Sequence, residues 1–263
     1  MATNAPTPLV TLVTGSSRGI GLAIAESLAA AGHRVALVAR DAERLRELVD
    51  RFRARGWPAL AIPADLRDPE APAAALTKAT AALGPIDAIV NNAGTAPADK
   101  IEATSDAMLH DTWSLHVAVP LRFARAAAAA MKQRRSGILL QLASTAGLRG
   151  YPFTSAYTAA KHGMVGLSRA LHAELSPAGI HCYALCPGFV DSDITRGAAA
   201  AIAARGRSTA EEAFQRMAAQ NRIGRMHTPA EVAAAVLYLL QTRPAGCVYE
   251  LDRSEPGFVD GDL

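Results

Sequence analysis

A chain of 263 residues with 27 basic and 24 acidic side chains carries a formal charge of +3, too weak and too scattered to grip nucleic acid. Half of it is hydrophobic but only 5% is aromatic, so its core is built from Ala, Val, Leu and Ile, and no stretch is long and apolar enough to span a membrane. Cys182, Cys186 and Cys247 are odd in number and lack zinc spacing, and 1-MATNAPTP-8 has no basic region or long apolar run; neither a disulfide framework nor a metal is expected, and a reducing cytoplasm is the expected home.

Residues 9-LVTLVT-14 predict a buried strand that stops at Gly15. A helical pattern follows from about Gly19 to Ala31, closed by Gly32, and then a second strand, 35-VALVA-39. A charged amphipathic helix runs to about Arg55, with its arginines on a solvated face. Residues 59-ALAIPAD-65 predict a third strand, 68–83 a helix and 86-IDAIVNN-92 a fourth strand. Residues 106–133 predict one long helix or two abutting ones, with the alanine tract 126–130 inside. A strand at 138-ILLQLAS-144, a helix from about Ser155 to Leu175 and a strand at 180-IHCYALCP-187 continue the rhythm. Residues 191–223 have no clean period, although 209-TAEEAFQRMAAQ-220 is helical in pattern. Pro229 opens a last helix, 230–241, before a short strand, 247-CVYEL-251. This alternation predicts an α/β fold with a parallel sheet, helices on both faces, and the ligand crevice at the carboxyl ends of the strands.

Gly15, Gly19 and Gly21 follow the first strand and open a helix, with Ser17, Arg18 and Ile20 between them. Gly15 permits a tight turn, Gly19 and Gly21 allow close backbone approach, and the helix N-terminus offers free N–H groups to a pyrophosphate. The spacing G-x-x-x-G-x-G is neither the G-x-G-x-x-G fingerprint nor a phosphate loop. At the end of the second strand, an acidic side chain would select NAD. Ala39 and Arg40 stand there instead, and with Arg18 they favour NADPH by offering guanidinium groups to a 2′-phosphate. Asp65 either bonds the adenine amine or caps the following helix.

Tyr157 and Lys161 stand one helical turn apart on one face. A nearby ammonium and an oxidised nicotinamide would lower the phenol pKa, and in reduction Tyr157 would donate its proton to the forming alkoxide. Ser144, 13 residues earlier at a strand end, can steady the substrate oxygen.

Taken together, 14-TGSSRGIG-21, Asp65, 91-NNAG-94, Ser144, 157-YTAAK-161 and 187-PG-188 resemble the short-chain dehydrogenase/reductase family over about residues 8–252. The resemblance implies one doubly wound Rossmann-type domain over 1–263, with a seven-stranded parallel sheet, and commonly a homotetramer. It implies a Ser144–Tyr157–Lys161 centre, with Lys161 also on the nicotinamide ribose. It places Leu66, Asn92, Ala93 and Gly94 beside the cofactor, Pro187, Gly188, Val190 and Ser192 at the nicotinamide, and a substrate lid over 191–225. His116 stands where the family has an asparagine whose carbonyl holds a water; two readings stay open, a backbone role or a side-chain proton relay. The double glycine after the last strand is replaced by 251-LDRSEPGF-258.

Residues 211–240 resemble the lid and following helix of 3-oxoacyl-carrier-protein reductases and aromatic polyketide ketoreductases. That implies a 3-oxoacyl thioester, polyketide or related hydrophobic ketone as substrate. Thr95, Leu148, Tyr151, Phe153, Phe189, Met217 and Met226 are candidate pocket walls, each equally readable as packing. Arg149 either meets a phosphorylated carrier or acidic substrate, or is simply exposed. The alternatives are a catabolic secondary alcohol or diol dehydrogenase, and a nucleotide-sensing regulator without turnover.

Overall fold

A computed structural model describes residues 8–259 apart from 205 and 207; the N-terminal stretch 1–7 lies outside these. The strands are β1 (Val10–Thr14), β2 (Arg34–Ala39), β3 (Ala59–Pro63), β4 (Ala88–Asn91), β5 (Gly137–Leu142), β6 (Ile180–Cys186), β7 (Val248–Glu250) and β8 (Gly257–Phe258). The helices are α1 (Gly19–Ala30), α2 (Ala42–Ala54), α3 (Ala71–Leu83), α4 (Asp106–Trp113), α5 (Val119–Arg134), α6 (Ser155–Leu175), α7 (Asp193–Ala204), α8 (Ala210–Ala218) and α9 (Pro229–Thr242). One sheet runs β3-β2-β1-β4-β5-β6-β7-β8.

The inner strands read as continuous apolar runs because both faces of the sheet are covered. On one face Ile24 and Leu28 of α1, Leu48 and Phe52 of α2, and Val236 and Leu240 of α9 join a core that includes Val13, Leu37 and Leu140. On the other, Ala75 and Ala79 of α3, Phe123 of α5 and Leu171 of α6 join Leu12, Ile89 and Leu139.

The sheet corrects the expected seven parallel strands. β8 is an eighth and runs antiparallel to β7, with Phe258 opposite Tyr249. Their rings meet edge to face, with centroids 5.2 Å apart. A Cβ on Gly246 would overlap the Phe258 ring, so the glycine makes room for it. β5 also stops at Leu142 rather than Ser144, because Ser144 leaves the strand to cap a 3₁₀ turn, Thr145–Gly147.

The stretch predicted as one or two helices is α4 and α5 joined by a five-residue π-helical turn, Ser114–Ala118. Pro120 accounts for part of this break in register. It has no N–H to bond the carbonyl of His116 four residues earlier. α7 falls in the stretch without a period. It buries only Thr195 and Ala199 and leaves Ile194 and Ile202 outside, so no apolar stripe announces it.

Candidate active site

Strand ends at Thr14, Ala39, Pro63, Asn91 and Cys186 share the carboxyl edge of the sheet. Around β1 the order reverses, with β2 on one side and β4 on the other, which opens a crevice there. The Thr14 hydroxyl accepts from Asn92 N at 2.9 Å and Ala93 N at 3.0 Å. Asn92 Nδ2 donates to the Thr14 carbonyl at 2.8 Å, so the 92–94 turn is stitched to the end of β1. A Cβ on Gly21 would overlap the Gly15 carbonyl oxygen, whereas one on Gly19 (φ +56°) would meet nothing within 4 Å. Gly21 therefore serves packing, and Gly19 borders open space. α1 starts without a side-chain cap, so its first N–H groups face that space unsatisfied. An open helix N-terminus behind a bare glycine fits a dinucleotide pyrophosphate.

Arg40 is exposed. The neighbouring Asp41 is spent on capping α2, accepting from Arg44 N at 2.9 Å. Arg18 is also exposed and lies 3.9 Å from Asp193, at the start of α7. Ser17 and Ile20 are half-buried in the glycine turn. Asp65 accepts from Arg67 N at 3.0 Å, closing its own turn six residues before α3 begins. Leu66 is buried in the core and offers the crevice only its backbone. After β6, Gly188 leaves room for Asn221, which accepts from Phe189 N at 2.7 Å and donates to Phe189 O at 2.8 Å. Val190 pairs with His227 in an isolated parallel bridge, and the Ser192 hydroxyl lies 3.3 Å from that of Thr195.

The turn after β5 and the first turns of α6 bring Ser144, Tyr157 and Lys161 together. The Ser144 hydroxyl hydrogen-bonds the Tyr157 phenol. Lys161 Nζ donates to the Leu142 carbonyl at 2.6 Å and sits 5.6 Å from the Tyr157 ring centre. Burial pulls the Lys161 ammonium down to about 7. It pushes the Tyr157 phenol up to about 12, against the smaller lowering effect of Ser144. In the protein alone the phenol pKa is therefore raised, because desolvation outweighs the Ser144 hydrogen bond, and the expected lowering awaits the oxidised nicotinamide.

His116 is 2% exposed and meets Tyr157 edge to face, with ring centroids 5.6 Å apart. Its ring occupies the space a Cβ on Gly94 would need. Nε2–H donates to the Thr95 carbonyl at 2.7 Å. Burial, reinforced by Lys161, lowers its pKa to about 3, so the ring stays neutral in any working buffer.

Of the candidate pocket walls, Tyr151 and Phe189 touch, with ring centroids 5.5 Å apart. The Tyr151 hydroxyl pairs with Thr145 Oγ1 at 2.8 Å and accepts from Arg149 Nε at 2.9 Å. Arg149 is not free, since its Nη2 donates to Asp252 at 3.2 Å. Phe153 is 61% exposed in a left-handed conformation (φ +66°) and borders an open groove of about 430 Å³ with Lys100, Ile101 and Glu102. Leu148 is partly buried against the small core cluster that contains Ala143, Met164 and Val165. Met217 and Met226 are buried with Ala199 and Ala213 against Phe189, as the core beneath α7 and α8. Thr95 is exposed and reaches His116 through its backbone. Thr145, Asn221, His227 and Asp252 escaped the sequence reading. No local spacing links them, and the fold alone brings position 252 beside 149.

No helix among the described residues is long and apolar enough to cross a membrane. The family model described as short chain dehydrogenase matches residues 9–203. A protein named as ketoacyl reductase 1 of the granaticin polyketide synthase of Streptomyces violaceoruber is 36% identical over 233 residues, 88% of this chain and 86% of that protein. The 3-oxoacyl-[acyl-carrier-protein] reductase FabG of Escherichia coli (strain K12) is 30% identical over 236 residues, 90% of this chain and 91% of its own. A solved structure of actinorhodin polyketide ketoreductase with NADPH superposes with a TM-score of 0.86 at 32% identity, covering 93% of this chain and 95% of that one. With this coverage, the glycine turn and the Ser144–Tyr157–Lys161 cluster, the chain belongs to the short-chain dehydrogenase family and is an oxidoreductase of its CH–OH/ketone chemistry.

Proposed function

We propose that this oxidoreductase reduces a bulky or activated ketone with NADPH, the substrate being a 3-oxoacyl thioester, a polyketide or a related hydrophobic ketone. The observation that carries the reading is the Ser144–Tyr157–Lys161 cluster, in which the phenol can give its proton to a carbonyl oxygen that Ser144 also reaches. The relatives named as ketoreductases, and the neighbour solved with NADPH, support the same reading. When bound, NADPH supplies the hydride. Tyr157 gives its proton to the oxygen of the carbonyl under reduction, and the Ser144 hydroxyl donates a hydrogen bond to the same oxygen. Lys161, with a pKa near 7, would hold the cofactor ribose and restore charge balance near the phenol. A panel of 3-oxoacyl thioesters, bicyclic ketones, ketosteroids and secondary alcohols, assayed with both cofactors, tests this. NADPH-linked ketone reduction should exceed alcohol oxidation at neutral pH. Strong NAD-linked alcohol oxidation without NADPH-linked reduction would overturn the reading.

The cofactor contacts in this proposal are the turn from Gly15 to Gly21, Arg40, Asp65, the backbone at Leu66, Asn92 to Gly94, and Pro187 to Ser192. Arg40 has the clearest consequence. Arg40→Asp should weaken NADPH binding by about 10- to 100-fold, the worth of a lost charge-assisted hydrogen bond, and abolish the preference over NADH. Titration by nicotinamide fluorescence reads both affinities, and equal affinities in the parent protein would sink the assignment.

For His116 the neutral, buried ring favours the backbone role over proton relay. The missing N–H at Pro120 leaves its carbonyl without the usual helical donor, and the ring itself wedges between Gly94 and Tyr157. His116→Asn should keep turnover within about threefold and leave the pH profile without any lost ionisation near the usual histidine value of about 6.5. Loss of such an ionisation would restore the relay.

The stretch 191–225 is proposed as the substrate lid, with α7 and α8 packed on each other over Phe189. Homotetramer assembly is proposed from the exposed Leu109, Trp113 and Leu121 along α4 and α5, and light scattering tests it. A cytoplasmic home accords with three buried cysteines that form no disulfide.

A further inference from the structure

Asp252 has no exposed surface and lies just beyond the end of β7. Three donors converge on its carboxylate in four contacts. Arg222 N donates at 3.0 and 3.1 Å to the two oxygens, Arg149 Nη2 donates at 3.2 Å, and His227 Nε2 lies at 3.3 Å. The partners come from two parts of the site. Arg222 and His227 sit where the polypeptide returns from α8 toward α9. His227 N donates to Phe189 O at 2.9 Å, and its carbonyl accepts from Asp191 N at 2.8 Å, so His227 clasps the stretch leaving β6. Arg149 leads the other way. Its Nε fixes the Tyr151 hydroxyl, its guanidinium lies 5.5 Å from the centre of the Tyr151 ring, and the same hydroxyl reaches Thr145, the residue after Ser144. Tyr151 also stands near enough to Tyr157 to oppose its ionisation.

We propose that Asp252 is a positioning residue for ketone reduction, joining both roots of the 191–225 segment to Tyr151, which forms the substrate-side wall beside Ser144 and Tyr157. The proposal rests on the ketoreductase reading for its substrate, and on the observed hydrogen bonds for its mechanism. A carboxylate is the side chain the position requires. It is acceptor-only, its two oxygens take all three donors, and its charge offsets the buried edge of the Arg149 guanidinium. An amide at this place would turn an N–H toward one of those donors and leave it unpaired. The distal part of a bulky ketone meets Tyr151 and Phe189, whereas the carbonyl meets Ser144 and Tyr157. Disturbing Asp252 therefore affects substrate seating before it affects proton transfer.

Two variants test this, Asp252→Asn and the milder Arg149→Met, with three readouts: NADPH affinity, KM and kcat for a bicyclic ketone, and amide exchange at Asp191, Arg222 and His227. Both variants should raise KM by about tenfold or more while kcat stays within about threefold, the signature of lost ground-state seating, and NADPH affinity should hold as the sign of an intact fold. Asp252→Asn should also speed exchange at the three amides by about tenfold, and Arg149→Met should not, because it cuts only the branch toward Tyr151. The double variant should bind the ketone no worse than Asp252→Asn alone, since both sever one chain. Unchanged KM in Arg149→Met, or multiplied effects in the double variant, would overturn the proposal. If the parent reduces no ketone, the ketoreductase reading falls by itself. The positioning role is then judged on exchange, and unchanged rates at Asp191 and His227 in Asp252→Asn would end it. Should Asp252→Asn fail to fold, Arg149→Met still decides through its KM.

Discussion

Tyr157→Phe should lose roughly 10²–10⁴-fold in turnover while binding NADPH almost as tightly as the parent, because a positioned proton donor is worth that much and the ring itself is retained. The phenol stands on α6 within hydrogen-bonding reach of Ser144 and with the Lys161 ammonium over its ring. Phenylalanine preserves the edge contact with His116 and removes only the O–H. Single-turnover kinetics with a ketone from the panel, alongside a fluorescence titration of NADPH, separates chemistry from binding. A variant that keeps more than about a tenth of parental turnover would show that another acid protonates the oxygen.

Lys161→Met should raise the thermal stability of the cofactor-free protein at neutral pH while destroying activity and weakening NADPH. Lys161 is 5% exposed, and its ammonium donates to the Leu142 carbonyl. Its pKa falls from 10.5 to about 7 on folding, because burial disfavours the charged form. The sign follows from proton counting. Between those two values the unfolded chain binds the proton and the folded chain does not, so stability rises with pH across the window. The penalty is full below about 7 and gone above 10.5. Its slope within the window is at most about 1.4 kcal/mol per pH unit. Methionine fills a similar volume without the charge. Melting temperatures of parent and variant should therefore differ most near pH 7 and converge toward pH 10. A variant less stable than the parent at pH 7, or a gap that does not close, would contradict a destabilising buried ammonium. The same residue would then be costly to the fold and necessary to the chemistry, the usual relation at a catalytic site.

The parts of this molecule legible in its sequence are those whose signals are local. β1 and the glycine turn could be read because a buried apolar run ends on residues that only a tight turn requires. Tyr157 and Lys161 could be read because a single helical turn fixes their spacing. The direction of the Tyr157 pKa could not, since it depends on how much protein surrounds the phenol, and that is a property of packing. α7 hid because its buried face is made of small side chains and its isoleucines point outward. The π-helical turn at His116 hid because its register change leaves the apolar pattern of 106–133 nearly continuous. Asp252 gave no signal, because its partners lie 25, 30 and 103 residues away in the chain.

β8 has a consequence outside catalysis. A parallel sheet ending at β7 would present a row of unpaired N–H and C=O groups, a template on which another chain could aggregate. The return of Gly257–Phe258 along that strand covers the template, and the Phe258 ring, seated over Gly246, holds the cover in place. At the opposite margin β3 finishes on Pro63, which has no amide hydrogen to offer. Both margins of the sheet are thus blunted, which protects the protein from edge-to-edge polymerisation and leaves self-association to its helices.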